Sequence, residues 1–281
     1  MAEMTIRKMA FEFTPEMQRV FIKNDPAMSY TFLGAWMMLP YLEPYLIRTM
    51  RQALPHVQDP QLRDDLRMFC AQEGEHYKQH ARANDIIRSV NPGFAGLSAL
   101  EEELDAEYKG FSKDKPLLFN LAYAEGFESM TSAASTVQLE MGMYDRVDSP
   151  LAHLGKWHVM EELEHRSVAF DVYHACGGTY LYRLKNQLWA QGHYFKWVKR
   201  FADLMREADP ELFATYDKPE IARERKRWNR RYWRRAIPQI LKTYRPRYTP
   251  RELPLTAEFT AAQQRYSGMA KGFGRIKGET V

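Results

Sequence analysis

The chain reads as all-α: a four-helix bundle followed by additional C-terminal helices. Three observations carry this reading. Asp59-Pro60 and Ser149-Pro150 each join a capping side chain to a proline suited to the first turn of a helix. No segment alternates apolar and polar residues between hairpin turns, as half-buried strands do. Four long helical segments precede residue 177, and two of them carry a Glu-x-x-His pair, Glu73/His76 and Glu162/His165.

Taken in order, residues 1–27 read as an irregular leader containing Pro15 and Pro26. A helix over 28–54 is interrupted by Pro40 and Pro44, where a kink is expected. The second long helix runs from Asp59-Pro60 to Val90 and is closed by Asn91-Pro92-Gly93. Residues 97–110 form a short acidic helix. The third long helix starts at Pro116 and reaches Tyr144. The fourth starts at Ser149-Pro150 and runs unbroken to Cys176, where Gly177-Gly178 stops it. Residues 179–206 and 218–243 are helical, basic and rich in Trp and Tyr, and a last helix covers 255–271. The expected organisation is therefore a leader (1–27), a bundle (28–177) and a helical extension (178–281) packed on it as one domain.

At 281 residues, with 45% hydrophobic and 27% charged side chains, the composition is that of a globular chain able to bury a large core. The formal charge of +4 gives a weak overall field. Two cysteines, Cys70 and Cys176, make neither a disulfide framework nor a thiolate metal site. The N-terminus has no apolar signal core, and the longest apolar run, Tyr30 to Leu42, is too short to span a bilayer. A cytoplasmic protein is expected.

Each Glu-x-x-His pair places a carboxylate and an imidazole about 60° apart on one helical face, one turn apart. Two further helices carry a candidate inward carboxylate, Glu43 and Glu125. A buried ionised carboxylate is costly unless paired or metal-bound. Four such groups are balanced by two divalent cations, which is the donor set of a bundle holding two metal ions. In this reading Glu73 and Glu162 bridge the ions and Glu43 and Glu125 are terminal ligands. His76 serves one ion; His165 serves the other, joined by His158, which lies four residues before Glu162 on the same face. His80 is an additional ligand or a donor behind one. Glu128, one turn beyond Glu125, is the rival on its helix; Glu125 is preferred because it follows small residues and precedes Gly126. Pro44 argues against Glu43, because the residue before a proline is biased away from helix. Glu161 and Glu164 point to other faces, either solvated or behind the ligands. No catalytic residue beyond the metal ligands is expected.

At these residues the chain resembles a bacterial family called predicted metal-dependent hydrolases, placed among ferritin-like proteins. The resemblance lies in LPYLEPYLIRTMRQAL, LRMFCAQEGEHYKQHARAN, AYAEGFESMT, KWHVMEELEHRSVAFDVY and LKTYRPRYTP, from about residue 30 to 250. It implies a ferritin-like bundle and an acidic ligand at Glu43. The ligand helices alone are also similar to those of di-iron arylamine N-oxygenases such as the p-aminobenzoate N-oxygenase, in which the position of His158 is a ligand. That similarity implies activation of O2.

Nitrogen and oxygen donors suit Fe, Mn or Zn. The expectation is two iron ions that activate O2 to oxidise or oxygenate a small organic, apolar or aromatic substrate, with reducing equivalents from a separate donor. The alternatives are a metal-dependent hydrolase with a dinuclear site activating water, and a non-catalytic metal-binding or storage protein. Trp36, Met37, Met38, Phe119 and Phe127 are candidate pocket residues. In the C-terminal extension Trp189, Tyr194, Trp197, Trp228 and Trp233 interleave with Lys and Arg, a pattern of membrane-surface helices. Peripheral membrane contact and a dimer are left open, and nucleic acid is not expected as a partner.

Overall fold

Three helix starts in the structure, a computed structural model describing residues 3–274, combine a small polar cap with a proline in the first turn. Asp25 accepts from the Met28 amide ahead of α1 (Pro26–Ala53), and Asp59 from the Gln61 and Leu62 amides ahead of α2 (Pro60–Ser89). Ser149 caps α5 (Pro150–Glu164) through the Ala152 amide. Between these lie α3 (Leu97–Asp114) and α4 (Leu117–Glu140). The chain continues through α6 (Val168–Ala175), α7 (Tyr180–Glu207), the short α8 (Pro210–Thr215), α9 (Pro219–Lys242) and α10 (Ala257–Met269). Two-residue strands, β1 (Arg7–Lys8) and β2 (Gly272–Phe273), pair antiparallel and tie the two ends of the chain together.

The all-helical expectation holds, and two of its details change. Pro40 and Pro44 lie inside α1, which continues through both, and Glu43 keeps its helical conformation. Packing of α1 against α2, α3, α4 and α7 outweighs the local bias of the residue before proline. The predicted helix over 149–176 is broken: α5 ends at Glu164, His165 takes its C-cap, and α6 resumes at Val168. Arg166 donates from Nη1 to the Leu163 carbonyl at 2.7 Å, meeting an acceptor that the ending helix leaves open. The leader is less detached than its irregular sequence suggests, because Ile6, Arg7, Met9, Phe11 and Phe21 are all buried. In the C-terminal region α7 packs on α1 and α4, α9 on α4, and α10 on α5.

α4 is the central element, with nearly every residue from Asn120 to Leu139 buried. Two glycines permit the close approach of α7. A Cβ at Gly126 would stand 2.7 Å from the Gln187 Cα, and one at Gly34 would stand 2.6 Å from the Val198 carbonyl oxygen. The contact at Gly126 turns that face of α4 toward α7 and so bears on which of its carboxylates faces the bundle centre.

Candidate metal centre

α1, α2, α4 and α5 deliver four carboxylates and four imidazoles to one buried volume. Potential ligand atoms lie within 4.8 Å of one another in each of four sets: Glu43, Glu73 and His76; Glu73, Glu128 and His165; His76, His158 and Glu162; Glu43, His80 and His158. All eight residues are buried. Glu73 Oε1 is 3.7 Å from His76 Nδ1 and 3.3 Å from His165 Nε2. Glu162 Oε1 is 3.8 Å and 3.6 Å from the same two nitrogens. Both carboxylates thus stand between the two histidines, where bridging ligands would stand.

The cluster is short of positive charge. Both oxygens of Glu43, both of Glu128, Glu73 Oε1, His76 Nδ1, His80 Nδ1 and His165 Nε2 have no hydrogen-bond partner. Buried polar atoms are nearly always satisfied, so this concentration calls for something that accepts their lone pairs. Burial, reinforced by neighbouring carboxylates, pushes Glu43 and Glu128 well above the usual carboxylate range. Burial acts against the charged forms of His76 and His165, yet hydrogen bonds and charge from nearby glutamates raise both well above the usual imidazole value. Burial would also raise Glu162, but His158 and His165 override it and hold that carboxyl well below its usual range. His80 and His158 are lowered, first by burial and then by the neighbouring histidines. A pair of divalent cations fits this donor set: it satisfies the open lone pairs and neutralises four carboxylates without a shared-proton network.

Behind the cluster, each imidazole is steered through its other nitrogen. His76 Nε2 is 3.1 Å from Glu161 Oε2, leaving Nδ1 toward the centre. His165 Nδ1 is 3.0 Å from Gln72 Oε1, and the Gln72 amide donates to Glu164 Oε2 at 2.7 Å. His158 Nδ1 lies 2.8 Å from His80 Nε2, leaving its Nε2 3.2 Å from Glu162. Arg7 joins two of these arms, donating to Glu161 at 2.8 Å and to Glu164 at 2.8 and 3.0 Å. Trp157 also donates to Glu161, and Gln263 of α10 to Glu164. Glu161 and Glu164 are therefore buried supports and not solvated side chains. Arg7 carried no signal in the sequence, since its partners lie more than 150 residues away.

Two expected ligand placements differ from the geometry. Glu125 stands apart from the cluster: its Oε1 accepts from Arg183 at 3.0 Å and from Ser129 at 2.8 Å. Glu128 faces His165 in its place, 3.5 Å from Nε2. The small residues around Glu125 mark the close approach of α7, which turns that face of α4 toward Arg183 and Gln187. His158 was expected beside His165 but lies on the His76 side, the two ring centroids 4.4 Å apart. His80 adjoins it there, so the imidazoles are unevenly divided between the two halves of the site.

A cavity of about 350 Å³ opens onto the cluster at His158 and Glu162. Its walls are largely apolar and include Trp36, Leu39, Phe127, Met130 and Tyr194. Of the candidate pocket residues, Trp36 and Phe127 line it; Met37 and Met38 are core, and Phe119 packs against Phe111 and Trp189. Helices α7 and α9 supply the outer wall through Tyr194, Phe195, Tyr232 and Trp233. Thr131, also in the wall, donates to Glu162 Oε2 at 3.1 Å. Among the described residues no helix is long and apolar enough to cross a membrane.

No curated protein and no solved structure matches the chain. A family model described as "predicted metal-dependent hydrolase" matches residues 5–253, a span that takes in every residue of the cluster and the Arg7 support behind it. With that match over most of its length, the chain belongs to the predicted metal-dependent hydrolase family.

Proposed function

We propose that the protein is a metal-dependent hydrolase with a dinuclear site, acting on a substrate with an apolar body. The observation that carries this reading is the opening of an apolar cavity onto His158 and Glu162, two members of a cluster whose buried donors are unsatisfied. The family description supports the hydrolytic class. Glu43 and His76, with His158, would hold one ion, Glu128 and His165 the other, and Glu73 and Glu162 would lie between them. Divalent ions bound there would supply Lewis acidity, the chemistry that lowers the pKa of water toward neutrality and polarises a scissile group.

The chain's own residues then position and exclude. Glu161 and Gln72 fix the tautomers of His76 and His165, so each presents a lone pair to the centre. Thr131 holds Glu162 from the cavity side. Burial keeps His80 neutral, and its bond to Nδ1 of His158 holds that ring with Nε2 toward Glu162. Burial and the charge of Glu162 raise the Tyr194 phenol, which stays protonated in the cavity wall as a donor to negative charge developing on substrate. The apolar walls hold the substrate body and keep bulk water from the cluster.

One observation favours a second reading. A Glu from each of α1 and α4 joins a Glu-x-x-His from each of α2 and α5, the donor arrangement of carboxylate-bridged di-iron and di-manganese bundles. With iron bound, that arrangement supports oxidation or oxygenation by O2 and requires a separate reductant. The readings separate in one experiment. Protein loaded with Zn(II), Mn(II) or Fe(II) is assayed anaerobically on p-nitrophenyl hexanoate, and the Fe(II) form is assayed separately for O2 uptake. Metal-dependent ester turnover without oxygen supports hydrolysis. Oxygen consumption by the iron form with no anaerobic turnover by any form overturns it in favour of the second reading.

A further inference from the structure

We propose that the exposed faces of α7 and α9 form a docking surface for an anionic lipid bilayer, with the cavity opening between them. On α9, Trp233, Ile237 and Leu241 follow one another at four-residue spacing and are 45, 48 and 57% exposed. On α7, Leu181, Leu188 and Phe195 recur every seven residues and are 74, 55 and 54% exposed. Phe195 and Trp233 also line the cavity, so each stripe ends at its rim. Exposed large apolar side chains in two stripes that converge on one cavity rim mark an interaction site, since isolated ones are the norm elsewhere.

Charge complementarity names the occupant. Arg227, Arg230, Arg231, Arg234 and Arg235 gather on the outer side of α9 around one shallow depression. Residues 225–242 contain eight Lys and Arg and no Asp or Glu. Arg231 lies over the Trp228 ring, and among the described residues none of the five has an acidic partner within ion-pair distance. The chain's small net positive charge is therefore concentrated beside the apolar stripe. Trp, Ile and Leu flanked by arginines suit the boundary between phosphate headgroups and acyl chains. A second copy of the chain is disfavoured, because a twofold contact would set arginine cluster against arginine cluster. Nucleic acid would engage the arginines but leave Ile237, Leu241, Leu181 and Leu188 without a role. On a bilayer, the cavity mouth would face the acyl region, and an apolar substrate could enter without crossing water.

The surface is independent of what the metal centre catalyses and is tested without turnover. The full chain is mixed with large unilamellar vesicles of phosphatidylcholine alone, or of phosphatidylcholine and phosphatidylglycerol at roughly 3:1, and sedimented at about 50 and about 300 mM NaCl. Sedimentation with the anionic vesicles, weakened by salt, is expected. The pairs Ile237→Ser/Leu241→Ser and Arg230→Gln/Arg234→Gln, all at exposed positions and checked for unchanged circular dichroism, should each lower binding about tenfold or more. Three results would overturn the proposal: no sedimentation of the unaltered chain with anionic vesicles at low salt, binding indifferent to both pairs, or retention by a duplex DNA oligonucleotide when vesicles retain nothing.

Discussion

Arg7 and Glu161 form a buried ion pair, Nη1 to Oε1 2.8 Å, on the side of His76 remote from Glu73 and Glu162. The same guanidinium holds Glu164, which reaches His165 through Gln72. One cation therefore compensates the carboxylates behind both Glu-x-x-His histidines. Replacing it by an apolar residue leaves two buried carboxylates without their counter-charge, a loss on the order of 3–5 kcal/mol. Arg7→Met is expected to lower the urea midpoint accordingly. It should also weaken metal binding about 10- to 100-fold, because ring orientation is lost along with stability. Metal titration at a temperature where the variant is still folded separates the two effects. Wild-type affinity in the folded variant would mean that Arg7 only stabilises.

The roles of the two α4 carboxylates follow from what each touches. Glu128→Gln removes a donor at His165 and should reduce bound metal toward one ion per chain, read by elemental analysis after dialysis. Glu125→Gln removes the counter-charge of Arg183, a buried cation that also donates to the Thr243 and Arg245 carbonyls. That change should destabilise by about 3–5 kcal/mol while leaving the metal content at its full value. The opposite pattern of metal loss would return Glu125 to the ligand set.

These two glutamates also show where the sequence was legible. Caps at Asp59 and Ser149, with prolines behind them, located helix starts to within a residue, because the hydrogen bonds that start a helix are local. The Glu-x-x-His pairs located the cluster because ligand spacing on a helix is local too. Rotation of α4 about its axis is not. Gly126 packs against Gln187 of α7, so the small residues near Glu125 mark that helix contact, where Glu125 meets Arg183. Arg7, Gln72 and Glu164 were invisible as a unit because the fold alone joins the N-terminal segment to α2, α5 and α10.

Metal and protons compete for the same atoms. In the metal-free protein Glu43, Glu128, His76 and His165 all hold protons more tightly than free side chains do, while Glu162 and His158 hold them less tightly. The cations compete with whatever protons these four hold, so affinity should rise with pH. One displaced proton corresponds to about tenfold per pH unit, or ~100-fold between about pH 5.5 and 7.5. Calorimetric titration in two buffers of different ionisation enthalpy counts the protons released; a count of zero would contradict the assignment. Removing the metal should lower the thermal midpoint, by an amount corresponding to ~2.7 kcal/mol when free metal had stood at about 100 times its dissociation constant.

The cavity sets the last expectation. Ala134 of α4 lines it and is not among the cluster residues. Ala134→Trp would fill a substantial part of about 350 Å³ of largely apolar space without touching a metal donor. Turnover of p-nitrophenyl esters should then depend on acyl length: acetate hydrolysed at close to the wild-type rate, hexanoate and longer esters slowed by tenfold or more through KM, with metal content unchanged. A uniform loss at every chain length would place the substrate body elsewhere than in this cavity. An unchanged length profile would do the same, because a filled cavity that leaves long esters unaffected is not where they bind.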